Sequence, residues 1–403
     1  MKIVPFWSEL GTRLQKKPAT IQEPMAAGVP ERARSSAMRH IGFSTRLLIL
    51  NGLAIFAVPL AHAADWGFVS VSWTTQNFNQ MGLLTYYSLR TIQQVVTFAI
   101  PAFLFVSGYF ISFAIGHIND NRQWRVIFTR IKYLVVPFLI WSILILVLDI
   151  FLGNPYSIRD FLLTIITGKA RTPYYYVPLL VQLLILSPFL VSLARTRYKL
   201  LLFLTALIQL IAIGLRYDTL LGLNSHVLQP ILFISSPRMF SSRIFSFSFG
   251  IVFGLHFSQF QQKLARVRWG LLVSVIVFAI LGIVEWEFLQ RFSTIFFIGQ
   301  KETVIDIFYA LAFILCFFAF EEFIPPFSKY LKVLGGMSYG IYLTHFSVQE
   351  YITKVIVRTI PWLAGFQILM QPILIVFGLG LPVILMKLIN KSPIRQYYRH
   401  LFG

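Results

Sequence analysis

A succession of long, almost continuously apolar stretches dominates this chain and limits the folds open to it. A helix needs about 20 apolar residues to cross a bilayer. Because lipid offers no water, the backbone of such a stretch has to satisfy its own hydrogen bonds, and the alternation of a transmembrane β-barrel is absent. The sequence therefore predicts an all-α fold: a polytopic integral membrane helix bundle with about ten transmembrane helices. The predicted spans are residues 47–64, 92–115, 133–152, 174–194, 200–215, 243–258, 270–288, 303–320, 333–351 and 363–386.

The balance of charges argues against a soluble protein and accounts for the high net charge. Hydrophobic residues make up 57% of the chain and charged residues 12%, whereas a soluble domain carries about 25% charged residues. A net charge of +20 would suggest a nucleic-acid partner in a soluble protein. Here, 24 of the 35 Lys and Arg residues fall in the segments that ten spans place on the N-terminal side. The positive-inside rule makes that side cytoplasmic, with both termini, and leaves the lipid bilayer rather than nucleic acid as the partner.

Three regions follow from this pattern. Residues 1–45 are polar and rich in Pro and basic residues, which predicts a disordered basic cytoplasmic tail. Residues 46–390 form the predicted membrane domain, and residues 391–403 a short basic cytoplasmic C-terminus. The sequence around His62 fits a signal-peptidase site, but the polar region before the first span is too long for an ordinary signal peptide.

Cysteine and histidine usage gives no reason to expect a metal. The single cysteine, Cys316, lies in an apolar stretch, so an intramolecular disulfide is impossible. No Cys/His cluster has the spacing of a zinc site. The oligomeric state is left open by the sequence.

Two predicted spans carry polar side chains at helical spacing. In the first span, Asn51 and His62 are 11 residues apart, which puts them within about 20° of the same helix face. In the ninth, Ser338, Tyr342 and His345 follow at i, i+4 and i+7 and share one face. Polar residues inside a span face the protein interior and are candidates for function. Both histidines are therefore candidate catalytic residues, although an interfacial His62 and a structural His345 explain the spacing equally well.

Two further segments have both a structural and a functional interpretation. Ser107 and Tyr109 flank a glycine in the second span, a pattern typical of close helix packing in membranes. Their hydroxyl groups are also candidate donors to a reacting group. In and after the next loop, Arg122, Arg125 and Arg130 have guanidinium groups suited to phosphate. Positive-inside topology and contact with anionic lipid headgroups explain such basic residues equally well.

Taken in order, these segments resemble the acyltransferase-3 family of membrane O-acyltransferases. The resemblance runs from about residue 44 to 390, nearly the whole chain after the tail. Each motif is weak alone, and their order together with ten spans makes the signal specific. The segments that carry it are Asn51–His62, Phe98–Tyr109, Arg122–Arg125, Arg130–Trp141, Tyr174–Leu180 and Gly335–His345.

One position departs from the family pattern. The first-helix motif of the family has a basic residue eleven positions before the histidine, and this chain has Asn51 there. The family's cation either orients the histidine or binds an anion, and Asn51 puts that role in doubt for this chain. Arg46, which lies further toward the cytoplasmic end of the span, is the nearest cation that could partly replace it.

The resemblance implies transfer of an acyl group, expected to be acetyl, from acyl-CoA to a sugar hydroxyl. Such a reaction needs a base for the hydroxyl, and the resemblance assigns that role to His62, with His345 in the second polar stripe as the competing base. It also needs donors for the developing oxyanion, for which Ser107, Tyr109 or Tyr342 are candidates.

The resemblance also places the two substrates on opposite sides of a bacterial inner membrane. CoA is made in the cytoplasm, where Arg122, Arg125 and Arg130 are expected to bind its phosphates. The acceptor, a cell-surface glycan or lipid-linked sugar, is expected among the outward loops. Residues there that suit sugar binding, and equally an interfacial belt, are Trp73, Tyr86, Tyr87, Arg90 and Arg291.

Two other classes of function remain open at this stage. A non-enzymatic transporter or a lipid or glycan flippase also consists of many helices with buried polar stripes, but it predicts coupling acids within the spans. The acids in this chain, Asp149, Glu285, Glu287 and Asp306, all fall near the predicted outer ends. A structural component of a polysaccharide machine would leave His62 replaceable.

Overall fold

Helices make up all the regular structure of the described residues. The computed structural model describes residues 31–75, 81–116, 118, 120–223, 225–293, 298–299 and 301–403, with no strand in these ranges. The prediction of an all-α fold is thereby confirmed. In chain order the α-helices are α1 (Glu31–Thr75), α2 (Leu83–Val95), α3 (Ala99–Ile115), α4 (Asp120–Phe151), α5 (Ile158–Ile166), α6 (Tyr176–Leu221), α7 (Ile244–Leu255), α8 (Phe257–Phe292), α9 (Val304–Ala319), α10 (Ser328–Gly336), α11 (Ser338–Thr359), α12 (Gln367–Lys391) and α13 (Tyr398–Phe402).

Six of the helical segments in the described part of the chain are long and apolar enough to cross a membrane. Two shorter apolar helices, α7 and α9, accompany them. The count of ten spans and the side on which the termini lie stay predictions. The six segments are Ser44–Thr74, Leu83–Ile115, Arg122–Phe151, Thr172–Leu221, Lys263–Phe292 and Gln367–Lys391.

The longest segment folds back on itself within α6. The backbone of Arg197 leaves helical geometry, with φ −142° and ψ 59°. Gln182 and Gln209 would lie about 40 Å apart along a straight helix. Their amide oxygens instead accept from the backbone N–H groups of Phe240 (3.2 Å) and Phe245 (2.9 Å), which are at most about 18 Å apart. The chain therefore reverses near Arg197, as the separate predicted spans 174–194 and 200–215 require.

Helix α1 is longer than its predicted span at both ends. It begins at Glu31, so residues 31–45 of the predicted disordered tail are helical. Residues 1–30 of that tail lie outside the described residues. It continues to Thr75 rather than ending at Ala64. Two side chains of α12 hold this end of α1: Gln367 donates to the carbonyl oxygen of Gly67 in the extension at 3.4 Å, and Gln371 to that of Ala63 just before it at 3.0 Å.

Glycine permits the closest helix contact around the Ser107 segment. A Cβ atom on Gly108 of α3 would lie 2.0 Å from the carbonyl oxygen of Phe247 on α7. A Cβ atom on Gly250 of α7 would lie equally close, 2.0 Å, to the carbonyl oxygen of Phe105. Only glycine fits at these two positions, so the packing interpretation of this segment holds.

The bundle has two distinct ends, which α1 connects. At one end Arg46 donates to the carbonyl oxygens of Phe320 (3.0 Å) and Glu321 (2.6 Å), where α9 terminates, and to those of Phe317 and Phe323. These carbonyls lack partners within the helix, and a cation there also complements the helix dipole. We call this the basic end, and the other, where His62 lies, the cavity end.

An ion network joins α4, α11 and the start of α6 away from the basic end. Arg171 makes two hydrogen bonds to the carboxylate of Asp149, at 2.7 and 2.8 Å. Its Nε lies 2.9 Å from Glu350 on α11, which also pairs with Lys354 at 2.6 Å. Because Arg171 and Asp149 are buried, their charges depend on this pairing.

The predicted basic C-terminus packs against the bundle. Phe402 on α13 is buried, and the indole N–H of Trp141 on α4 donates to the carbonyl oxygen of Leu401 at 2.8 Å. The guanidinium of Arg399 lies 4.3 Å from the centre of the Tyr133 ring. The C-terminus therefore lies against the part of α4 that follows its basic first turns.

Candidate active site

The cavity end holds a pocket built from helices that are far apart in the sequence. It encloses about 1030 Å³ of space, including its open mouth. Its walls come from α1, α2, α3, α6, α7, α8, α9 and α11, and from the segments that lead into α3, α6, α7 and α9. The polar and aromatic residues that line it are His62, Asp65, Gln93, Thr97, Thr172, Tyr175, Gln209, Ser242, Arg243, Ser246, Trp286, Lys301, Glu302, Thr303, Asp306 and Tyr342.

His62 and Asp65 form a pair on the wall of this cavity. One helical turn separates them, and His62 Nδ1 lies 3.2 Å from Asp65 Oδ2. A carboxylate only accepts hydrogen bonds, so Nδ1 of the neutral imidazole carries the proton. Nε2 is then the unprotonated nitrogen, which is the state that a general base requires.

Asp65 is itself held by a chain of buried donors from α2. The Gln93 amide donates to Asp65 Oδ1 at 2.6 Å, and Arg90 donates to the Gln93 oxygen at 3.1 Å. Arg90 is 1% exposed, with its guanidinium 4.7 Å from the ring centres of both Phe68 and Trp286. Oδ1 of Asp65 is thus held by Gln93, and Oδ2 is left directed at Nδ1 of His62.

His345 lies beside His62 but is bound differently. The two ring centres are 5.5 Å apart, and His345 is fully buried. Its Nδ1 lies 2.9 Å from the carbonyl oxygen of Ile341, so Nδ1 carries the proton. Its Nε2 is buried without a hydrogen-bond partner among the described residues. The structure therefore brings together both histidines that the sequence predicted.

The two predicted polar stripes face each other across the α1–α11 contact. Asn51 donates to the carbonyl oxygen of Gly335 at 2.8 Å and lies 2.9 Å from Ser338 Oγ. Asn51 thus joins α1 to the junction of α10 and α11, with His62 further along the same face. Arg46 bonds to the end of α9 instead, so the idea that it replaces the family's cation gains no support.

Ser107 and Tyr109 do not line the cavity. The side chain of Ser107 lies near that of Tyr176, whose ring packs 5.6 Å from that of Tyr342. Tyr342 does line the cavity, but its hydroxyl donates to the carbonyl oxygen of Pro173 at 2.5 Å. Tyr109 is buried in the core between α3 and α7. The role of these hydroxyls as oxyanion donors stays a prediction.

The three predicted donor-site arginines lie at the basic end. Arg122 and Arg125 are exposed on the first turns of α4. Arg130 is half-buried and lies 3.4 Å from the carbonyl oxygen of Phe110 on α3. Pro101, which lines the cavity, and the end of α3 at Ile115 are separated by about 21 Å of helix. The structure therefore does not bring these arginines to His62.

Four charged residues of the cavity wall escaped the sequence analysis. Asp65 follows His62 at i+3, so helical spacing could have revealed it. Arg243 and Glu302 pair with each other across 59 positions, and Lys301 pairs with Glu285 as well as with Asp306, so no helical spacing marks these three residues. The outward residues predicted for sugar binding differ in exposure: Arg90 is buried, whereas Tyr87 and Trp73 are exposed.

Comparison with known proteins identifies a family to which the chain is similar. A family model described as an acyltransferase domain matches residues 47–387, which covers most of the chain. No curated protein and no solved structure matches it. No group of three or more His, Cys, Asp or Glu in the described residues is arranged to hold a metal ion.

Proposed function

The chain belongs to the acyltransferase-3 family of multi-pass membrane proteins, and on that premise we propose that it moves an acyl group, expected to be acetyl, from acyl-CoA to a sugar hydroxyl. The acceptor is a cell-surface glycan or lipid-linked sugar, and the membrane is the bacterial inner membrane. The observation that carries the proposal is the His62–Asp65 pair, at 3.2 Å, on the wall of the cavity.

The pair supplies what acyl transfer to a hydroxyl requires. The hydroxyl oxygen attacks the thioester carbonyl carbon while Nε2 of His62 takes the hydroxyl proton. Asp65 stabilises the imidazolium, as in other carboxylate–histidine pairs. The C–S bond then breaks, and His62 returns the proton to the CoA sulfur. The products are a sugar ester and free CoA, and the histidine is neutral again.

The proposal assigns the donor and the acceptor to the two ends of the bundle. The CoA phosphates bind Arg122 and Arg125 at the basic end, which the positive-inside rule makes cytoplasmic. The thioester then has to reach about 21 Å along α3 toward the cavity. The proposal takes the extended arm of CoA past Arg130, which is half-buried against α3 and donates to the carbonyl oxygen of Phe110 at 3.4 Å.

Labelled substrate tests the proposal. Detergent-permeabilised membranes with and without the protein are supplied with acetyl-CoA that carries ¹⁴C in the acetyl group. We expect protein-dependent label in glycan or glycolipid, in an alkali-labile ester linkage. If protein-dependent label is absent from every membrane fraction, the transferase proposal is wrong and the transporter interpretation replaces it.

A further inference from the structure

The cavity wall contains two cations, and each is already neutralised. Arg243 pairs with Glu302 and lies with its guanidinium 5.0 Å from the centre of the Tyr175 ring. Lys301 Nζ contacts Glu285 and Asp306, at 2.8 Å each. Both cations are buried, with side-chain exposures of 8% and 0%. An entering anion would therefore compete with a carboxylate for the charge of either cation.

One of these pairs is maintained at a conformational cost. Glu302 has φ 55°, a left-handed backbone conformation that residues with a Cβ atom rarely adopt. This conformation places its carboxylate at Arg243, and Tyr175 also contacts it at 3.5 Å. A strained residue persists where the surroundings hold it. The neutralisation of Arg243 is thus a built feature of the wall.

The remaining charges leave an anion nothing to bind. Among the described residues, the lining holds the carboxylates of Asp65, Glu302 and Asp306 against the cations of Arg243 and Lys301. The undescribed positions that interrupt the described ranges, 76–80, 117, 119, 224, 294–297 and 300, contain no Lys or Arg in the sequence. A carboxylate or phosphate that entered would lose water without gaining a cation and would face an excess of negative charge.

The uncharged part of the wall suits a neutral polyol. Hydroxyl and amide side chains, which both donate and accept, line the cavity at Thr97, Thr172, Gln209, Ser242 and Ser246. The rings of Tyr175, Trp286 and Tyr342 supply apolar surface between them. Small-ligand sites commonly combine such apolar surface with a few polar groups.

We propose that the cavity selects an acceptor whose reacting sugar is uncharged, and discriminates against uronic acids, sialic acids and phosphorylated sugars. The inference rests on the proposed function, because it names the substrate class of the same site. The paired carboxylates of Glu302 and Asp306 set the selectivity by neutralising Arg243 and Lys301.

Two acceptors that differ at C6, a neutral hydroxymethyl group in one and a carboxylate in the other, test the proposal, with the neutral n-octyl β-D-glucuronamide as the control for loss of the C6 hydroxyl. Permeabilised membranes that contain the full-length protein receive ¹⁴C-acetyl-CoA and either n-octyl β-D-glucopyranoside or n-octyl β-D-glucuronide. We expect the glucoside to be labelled about 10-fold or more faster, since the glucuronate loses water without gaining a cation. Equal labelling, or faster labelling of the glucuronide, would overturn the neutral-sugar assignment and leave the transferase proposal intact.

A charge variant tests the cause of the selectivity. Glu302→Gln leaves Arg243 without its carboxylate, so the glucoside-to-glucuronide ratio should fall about 10-fold. The ratio is measured on one preparation and does not depend on how much protein folds. The control is Glu322→Gln, an exposed residue just after α9, for which the ratio should stay unchanged. An unchanged ratio in Glu302→Gln would refute the role of the pair.

Endogenous acceptors separate the two proposals. If label enters only endogenous glycan, mass spectrometry identifies the acylated sugar: a neutral sugar supports the inference, and an acidic or phosphorylated one overturns it. If no acceptor of either kind is labelled, the transferase proposal fails and the inference fails with it.

Discussion

At the residue scale, the proposed chemistry depends on which nitrogen of His62 carries the proton. The contact of 3.2 Å between Nδ1 and Asp65 fixes that proton on Nδ1. His345 has the same tautomer for a different reason, a backbone carbonyl at 2.9 Å. Of the two histidines, only His62 lines the cavity, so we assign the role of base to its Nε2 rather than to that of His345.

Removing the Asp65 charge should impair turnover rather than donor binding. In Asp65→Asn the amide can present its N–H to Nδ1, which favours the wrong tautomer, so kcat should fall by about 10²–10⁴-fold. The apparent KM for acetyl-CoA should stay the same, because the donor phosphates bind at the other end. Initial rates at varied acetyl-CoA measure both constants.

The matched control for this variant is Asp160→Asn, which alters an exposed residue on α5 away from the cavity. It should keep the kcat of the unaltered protein. If Asp65→Asn also keeps it, the carboxylate does not orient the base.

Single residues also show how far the sequence could predict the site. His62 and His345 were found because helical spacing is local and their residue type is rare inside a span. Asp65 lies at i+3 from His62, so the same spacing argument could have predicted it. Lys301 was not, because its partners Glu285 and Asp306 come together only when α8 and α9 pack side by side.

At the scale of the helices, the apolar stretches predicted where helices occur but not where they end. The stretch 333–351 is interrupted at Met337, which separates α10 from α11. Helix α1 continues past its apolar stretch, and side chains of α12 bind carbonyl oxygens at this end. The ends of these helices depend on contacts with other helices, and a hydropathy pattern carries no information about such contacts.

The first turns of α4 carry the donor-site prediction. Arg125→Ala should raise the apparent KM for acetyl-CoA about 5-fold or more, since an accessible charge-assisted contact contributes about 1–3 kcal/mol. Kinetics at saturating acceptor measure it. Arg395→Ala removes another exposed cation near the C-terminus and should leave that KM unchanged. Equal KM values for all three proteins would leave topology as the sole role of Arg125.

The network at Arg171 should stabilise the contact of α4 with α11. Arg171→Ala leaves Asp149 and Glu350 without their shared cation, which should lower the free energy of unfolding by about 3–5 kcal/mol. Thermal unfolding in detergent, followed by tryptophan fluorescence, measures the change. Arg159→Ala, an exposed arginine on α5, should leave the midpoint within about 1 °C, as surface substitutions usually do. Equal midpoints for both variants would show that the network contributes nothing.

At the scale of the whole molecule, the all-α architecture was predictable because lipid permits few alternatives. The cavity was not, since its walls come from segments between residues 58 and 342. The reversal at Arg197 agrees with the separate spans predicted there, while the total of ten stays a prediction. Its test is the topology of the intact protein.

Reporter fusions should place both termini in the cytoplasm. A fusion after residue 75, at the end of α1, should report the outer side, and one after Gly403 the cytoplasm. The physical reason is the excess of basic residues on the N-terminal side, 24 of 35. An outer C-terminus would mean that the span count is wrong by one.

The central claim is that His62 is the base for acyl transfer at the cavity end. The measurement that tests it most directly is the acyl content of surface glycans, determined by mass spectrometry. It is made in a deletion strain complemented with His62→Gln or with the control His226→Gln, which alters an exposed histidine elsewhere in the chain. Both variants should insert and accumulate equally, as immunoblots of membranes can verify. We expect transfer to fall about 10²-fold or more in His62→Gln, the usual contribution of a positioned base, and to be unchanged in His226→Gln. Full acylation by a normally expressed His62→Gln protein would contradict the account.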